Sequence, residues 1–393
     1  MSLPEVFIVS AARTPIGTFN GSFANVKASD LGSVVIKEVL KRANASPTDV
    51  SEVIMGQSLT AGQGQNTARQ ASLKAGLSNE VPAYAINMLC GSGLKSVVLG
   101  YQAIRCGDAK VVVCGGQENM SLAPHVINLR PGVRMGEAVM VDSMIHDGLT
   151  DAMHHIHMGV TAENLAKEYN ISREEQDLSA VKSQNAAEYA QKNGYFDKEL
   201  VPVEVTIKRQ KVLIKEDEYP KHGTKLADLQ NLKPCFIKDG TVTPGNASGI
   251  NDSASAVLLM SSEEVAKKSV KPMARIVAWA QSGVDPKVMG IGPIEAVKQV
   301  LTKAGWDKDE VDLFELNEAF AAQALSVNKC LGIDANKVNI NGGAIALGHP
   351  IGASGNRVLV TLLYALERTN KKKGIASLCV GGGMGIALAV ERL

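Results

Sequence analysis

The sequence says much the same thing twice, and that narrows its possible folds more than any other feature. IKEVLKRANASPTDV at 36–50 is echoed by VKQVLTKAGWDKDEV at 297–311, where Lys37, Val39, Leu40, Ala43 and Val50 recur as Lys298, Val300, Leu301, Ala304 and Val311. CGSGLKSVVLGYQAI at 90–104 is echoed by HPIGASGNRVLVTLLYAL at 349–366, and the following VVVCGG at 111–116 by ASLCVGGG at 376–383. Chance explains one such match; two in the same order point to an internal duplication with similar halves at 1–120 and 271–393.

Both halves alternate short β-branched runs with amphipathic segments. Strands are expected at Val6–Val9, Val53–Met55, Val111–Cys114, Val257–Met260, Arg275–Trp279, Leu313–Leu316, Ile375–Cys379 and Ile386–Val390, and helices at Leu31–Ala43 and Ile294–Ala304. This pattern predicts an α/β fold with largely buried sheets. The stretch between the halves differs: it carries HHIHMG at 154–159, one helical pattern near 161–192 and a polar run from 204 to 248. That is too much chain for a simple connection. It reads as a loop domain, 121–248, inserted into a first half made of 1–120 and 249–270, ahead of a second half at 271–393.

At 393 residues and 45% hydrophobic, the chain exceeds what one core usually serves, so packed subunits of structure are expected. Forty-one basic and forty acidic residues leave a net charge of +1, which gives no reason to expect nucleic acid or an anionic membrane as partner. No apolar run approaches the roughly 18 residues of a membrane span. The first residues lead straight into the Val6–Val9 run, and a cytoplasmic location is expected. The six cysteines form neither a CxxC pair nor a disulfide framework, and read as free thiols.

Three positions stand out chemically. Cys90, in Asn87-Met88-Leu89-Cys90-Gly91-Ser92-Gly93, enters a helix marked by Leu94, Val97, Val98, Tyr101 and Ile104. A helix start offers free N–H groups and lowers a thiol pKa. His349 holds the duplicated position, so the two helix starts can place a base beside a thiol. Cys379 ends a strand and enters Val380-Gly381-Gly382-Gly383, whose N–H groups can hold an oxyanion. Cys114, taken as its counterpart, is assigned to packing. Asn317, in Leu316-Asn317-Glu318-Ala319-Phe320, lies at another strand end, where sites in such sheets gather. His154, His155 and His157 lack a second ligand cluster, so no metal is expected. Gly91-x-Gly93 is no dinucleotide fingerprint, and no phosphate-binding GxxxxGK[ST] occurs.

Four separated blocks, CGSG at 90–93, NEAFAAQ at 317–323, GGAIALGHPIGASG at 342–355 and CVGGGMG at 379–385, together resemble the thiolase family, and within it the short-chain acetyl-coenzyme A acetyltransferases. The resemblance runs nearly end to end. It implies a duplicated five-layered αβαβα fold with an inserted loop domain, and a ping-pong Claisen condensation of two acetyl-coenzyme A to acetoacetyl-coenzyme A and free coenzyme A, or the reverse. By the same resemblance Cys90 is the acylated nucleophile, His349 its base and Cys379 the acid/base at the second substrate's methyl group. Asn317 holds a water that stabilises the enolate together with His349, and the N–H groups of Cys90 and Gly381 form the other oxyanion hole. His157, Met158, Ser248, Ala319 and Phe320 fall to the substrate. Coenzyme A thioesters are substrates and no cofactor is implied; the expected assembly is a homodimer or homotetramer.

The basic stretch Lys208, Arg209, Lys211, Lys215, Lys221, Lys225 and Lys233 is either a solvated surface or the seat of the nucleotide phosphates, with Lys221 the first choice of contact. Gln117, Asp228 and Lys221 depart from the Met, Ser and Arg common in the family. Other readings are a broader 3-ketoacyl-coenzyme A thiolase, a ketosynthase, against which Cys379 argues, and a non-catalytic coenzyme A- or lipid-binding relative.

Overall fold

Where valines and alanines alternate, both faces of a strand are buried, and the chain makes sheets covered on each side. The structure is a computed structural model that describes residues 3–393. The first half contributes strands β1 (Val6–Arg13), β2 (Glu52–Gly56), β3 (Ala83–Ile86), β4 (Val111–Asn119) and β5 (Asn251–Ser261). The second contributes β6 (Ala274–Gly283), β7 (Leu313–Leu316), β8 (Lys373–Val380) and β9 (Met384–Arg392). Helices follow in the order α1 (Ala28–Arg42), α2 (Thr67–Lys74), α3 (Ser92–Cys106), α4 (Met158–Glu168), α5 (Arg173–Lys192), α6 (Gly292–Ala304), α7 (Ala321–Leu331) and α8 (Ile351–Arg368).

The strands run β7-β8-β9-β6-β1-β5-β4-β2-β3. From the middle outward, β1-β5-β4-β2 pair antiparallel, antiparallel, parallel, and β6-β9-β8-β7 repeat that sequence of directions. Along the sheet of described strands, the halves join where Phe7 and Ile8 meet Arg275 and Ala274. Even the repeated turns agree: Ser46 with Asp49 and Asp307 with Glu310 make capping boxes ahead of β2 and β7.

Side-chain alternation assembles three cores. Val111 and Val113 of β4 face α1 and α2, whereas Val112 and Cys114 face Leu94, Val97 and Val358. In β9, Ala387 and Ala389 meet Val297 and Val300 of α6, whereas Ile386, Leu388 and Val390 turn to the shared middle core. The middle layer is α3 and α8, held between the two halves' strands, which gives the αβαβα order. α8 is buried without a break from Ile351 to Leu363. Glycines bring the two central helices together: a Cβ on Gly93 would lie 2.6 Å from the Asn356 nitrogen, and one on Gly355 2.4 Å from that of Leu94.

The inserted stretch differs from its expected outline. The helical pattern near 161–192 is two helices, α4 and α5, because Asn170 turns left-handed (φ 52°) and Ser172 caps α5 in a box with Glu175. The polar run contains a hairpin, Val203–Ile207 with Gln210–Ile214, turning through Lys208 and Arg209, both at positive φ. Buried Arg13 at the end of β1 pins the insertion to the core, bonding Glu199 and Asp217 at 2.6 Å each. No helix among the described residues is long and apolar enough to cross a membrane.

The Gly93–Gly355 approach leaves no room for a side chain. Gly355→Val should therefore force the central helices apart and destabilise the protein by about 3 kcal/mol. A chemical-denaturation midpoint unchanged from wild type would refute this packing.

Candidate active site

Cys90 and His349 each stand two residues ahead of a central helix, α3 and α8. The Cys90 turn is held by short-range hydrogen bonds. Leu89 takes a left-handed φ of 45°. The Ser92 hydroxyl accepts from the Met88 N–H at 2.8 Å and donates to the Leu89 carbonyl at 2.7 Å, while the Leu89 N–H donates to Asn87 Oδ1 at 2.9 Å. On the other side Gly348, at φ 102°, lets the chain pass Asn251, whose Oδ1 accepts the His349 N–H at 2.9 Å.

These turns bring His349 Nε2 to 3.2 Å from Cys90 Sγ. Nδ1 lies 2.6 Å from the Ser354 hydroxyl, which is itself 2.8 Å from the Pro350 carbonyl. A carbonyl can only accept, so the hydroxyl proton goes to Pro350 and Ser354 accepts from Nδ1–H. The lone pair of Nε2 then faces the thiol. Asn317, at the end of β7, points its Nδ2 at the same Nε2 at 3.4 Å, and its buried Oδ1 has no protein partner.

Burial sets the charge state of all three groups. It holds the His349 imidazole down at about 3, with the charge of Arg357 adding to the effect, so the ring is neutral. It pushes the Cys90 thiol up to about 11, against the N–H groups of Gly381 and Cys90 that donate to the sulfur and with help from Glu118. The expected lowering of this thiol by a helix start is thus overturned: desolvation outweighs two N–H dipoles. Cys379, fully buried, is raised well above an ordinary thiol by burial and then by Cys90. Each proton stays home until a reacting partner arrives.

Cys379 ends β8 on the face that meets Met158, Met289 and Phe320. Cys114 is not its counterpart in facing, since it points into the middle core beneath Gly100. The turn after Cys379 requires glycine, with Gly382 and Gly383 both at φ 82°.

A cavity of about 520 Å³ opens on this cluster, and Cys90, His349, Gly381, His157, Met158, Ser248, Ala319 and Phe320 all line it. The insertion reaches the site by backbone contacts: the Ser248 N–H donates to the Ala319 carbonyl at 3.0 Å, and the Ala321 N–H to that of Asn246 at 2.9 Å. His157 caps α4 and stacks on Phe236 at 4.8 Å, which meets Phe320 edge-on at 6.0 Å. Lys221 does not line the cavity; it is exposed and its N–H bonds Gln184. His154, in the same histidine cluster as His157, pairs instead with Asp151. Sequence reasoning missed Ser354, although it stands in the GASG block, and it missed Phe236, Met289 and Tyr219, whose isolated positions carry no pattern.

Comparison with known proteins agrees with the arrangement. Residues 6–263 match the thiolase N-terminal domain and residues 270–392 the thiolase C-terminal domain. The chain belongs to the thiolase family. This thiolase is 58% identical over 389 residues to the cytosolic acetyl-CoA acetyltransferase of Mus musculus, covering 98% of each chain. Among solved structures it superposes on the Bacillus anthracis acetyl-CoA acetyltransferase with a TM-score of 0.98, and on human mitochondrial 3-ketoacyl-CoA thiolase with 0.97; each is 44% identical with both chains covered in full.

Ser354 fixes the tautomer of His349 in this thiolase without facing the cavity. Ser354→Ala should lower kcat by about tenfold to a hundredfold with little change in KM. Steady-state kinetics decide it, and an unchanged kcat removes Ser354 from the site.

Proposed function

We propose that this thiolase is an acetyl-coenzyme A acetyltransferase, an acyltransferase that condenses two acetyl-coenzyme A to acetoacetyl-coenzyme A and coenzyme A, or runs the reverse. The observation that carries the reading is a thiol 3.2 Å from a neutral imidazole, with a second buried thiol beside it. His349 takes the Cys90 proton as the sulfur attacks the first thioester carbonyl, and the N–H groups of Cys90 and Gly381 stabilise the oxyanion. The departing coenzyme A thiolate takes its proton from Cys379. The Cys379 thiolate so formed removes a proton from the methyl group of the second acetyl-coenzyme A. The enolate oxygen is met by the protonated His349 and by a water held on Asn317. Carbon attacks the Cys90 thioester, and the released thiolate recovers its proton from His349. Every proton is accounted for, and the chemistry calls for no group beyond the coenzyme A thioesters.

His157, Met158, Ser248, Ala319 and Phe320 are assigned to the acyl-pantetheine arm because they wall the cavity. Lys221 is retained as a contact to the coenzyme A phosphates on charge alone. A cytoplasmic location is supported by the likeness to the mouse cytosolic protein. Assembly into a homodimer or homotetramer is supported by the exposed apolar side chains of Val126, Ile127, Leu129, Val133 and Met135.

His157, Phe236 and Phe320 stack as one aromatic wall of the cavity, and the limit on acyl length is assigned to that wall. Acetoacetyl-coenzyme A should be cleaved far faster than a 3-ketoacyl chain of about ten carbons, as kcat/KM measured across chain lengths will show. Comparable values would instead assign a broad-range 3-ketoacyl-coenzyme A thiolase.

The two thiols are separable. Cys90→Ala should abolish acylation and condensation alike. Cys379→Ala should still become acetylated at Cys90, since His349 can return its proton to the departing coenzyme A thiolate, but lose condensation by about a thousandfold or more. Mass spectrometry after brief exposure to acetyl-coenzyme A distinguishes them, and an acetyl group on Cys379 in Cys90→Ala would reverse the assignment.

A further inference from the structure

Glu118 is a fully buried carboxylate near the end of β4, and none of the steps above uses it. Its Oε2 accepts the Gly352 N–H at 2.8 Å and the Ser58 N–H at 3.0 Å, and its Oε1 accepts the Leu59 N–H at 3.2 Å. Gly352 is the second residue of α8, three positions after His349. Ser58 and Leu59 belong to the loop after β2, in the half that carries Cys90. One carboxylate therefore ties the His349 turn to the Cys90 half. The fit is close: a Cβ on Gly352 would fall 2.8 Å from Oε2, so only glycine admits the contact. Leu59 and Ile351, beside the tethered N–H groups, pack with Cys90 in one small cluster. The groups that act on the carboxylate are these backbone dipoles and the like charge of Asp252 on the adjacent strand β5; no lysine or arginine reaches it among the described residues. Its own charge in turn acts on the Cys90 sulfur.

A buried carboxylate without a cation is costly to keep, and a glutamine of the same shape would satisfy packing alone. One service calls for the acid: it accepts three N–H groups at once, which an amide, whose nitrogen end is a donor, cannot do. We propose that Glu118 is a positioning residue for the Cys90–His349 pair, its carboxylate clamping the start of α8 to the loop after β2. This rests on Cys90 being the residue that is acylated.

The test uses Glu118→Gln and Glu118→Asp in the full-length protein. The rate of Cys90 acetylation at saturating acetyl-coenzyme A is followed from pH 5.5 to 9 at the Cys90 peptide by mass spectrometry. Burial raises Glu118 to about 7, so the clamp is complete above that pH and loses acceptor capacity as the carboxyl is protonated below it. Wild-type acetylation should fall as pH drops through about 7. Glu118→Gln should acetylate about tenfold more slowly above that pH at unchanged KM, with the difference from wild type shrinking below it, and Glu118→Asp, too short for the clamp, should be slowed above pH 7 as well. A Glu118→Gln rate equal to the wild type's, or one lowered by the same factor at every pH, would overturn the proposal. Should the wild type itself show no acetyl group on Cys90, the reading of the site fails instead.

Discussion

The contact between α3 and α8 governs this molecule. Both helices are enclosed by strands of the two halves, and Gly93 and Gly355 let their backbones touch. Since each functional turn lies just ahead of one of these helices, the 3.2 Å spacing of Cys90 and His349 follows from how deeply the helices interlock. The same enclosure strips water from the turns. Desolvation is the leading influence on His349, Cys90 and Cys379 alike, and it leaves all three uncharged at neutral pH. Geometry and protonation state thus share one origin in the packing of the middle layer.

An uncharged resting site has a clear chemical merit. A standing thiolate would be open to oxidation and alkylation, whereas a buried thiol beside a neutral base reacts only when a carbonyl carbon is close enough to accept the electron pair as the proton leaves. The N–H groups of Gly381 and Cys90 are too weak to ionise the sulfur against burial. In a low-dielectric setting a donor counts for most where charge develops during a reaction, so dipoles that cannot ionise the resting thiol need not be idle.

Much of this was legible in the sequence, because duplication and period-two alternation are local signals. All eight expected strands form, and Leu313–Leu316 has the expected ends. The blocks around Cys90, Asn317, His349 and Cys379 do converge. What escaped was of two kinds. Some signals were present but overlooked: Ser172 and Glu175 spell a helix start in the middle of what looked like one helix. Others exist only in three dimensions. Which face of its strand Cys114 occupies depends on register, the thiol's high pKa depends on how much protein closes over it, and Phe236 reaches the cavity through a loop with no periodicity. The nucleotide end of the substrate gained little from either source, since Lys221 is exposed and away from the cavity wall.

The two halves, alike when folded, present unlike problems to a chain that is still being made. In the second half β8 and β9 are joined by the tight turn at Gly381–Gly383, so that hairpin can close as soon as it is synthesised. In the first half the equivalent partner of β4 is β5, and residues 120–250 come between them. Until β5 arrives, the valine-rich edges of β1 and β4 have no neighbour, and the loop to be closed is among the longest in the molecule. The insertion that brings side chains to the active site therefore also delays the moment at which the amino-terminal sheet can exist. Of the two repeats, the one made first has to finish late, and in that interval its exposed strands are the part of the chain most in need of protection from other chains.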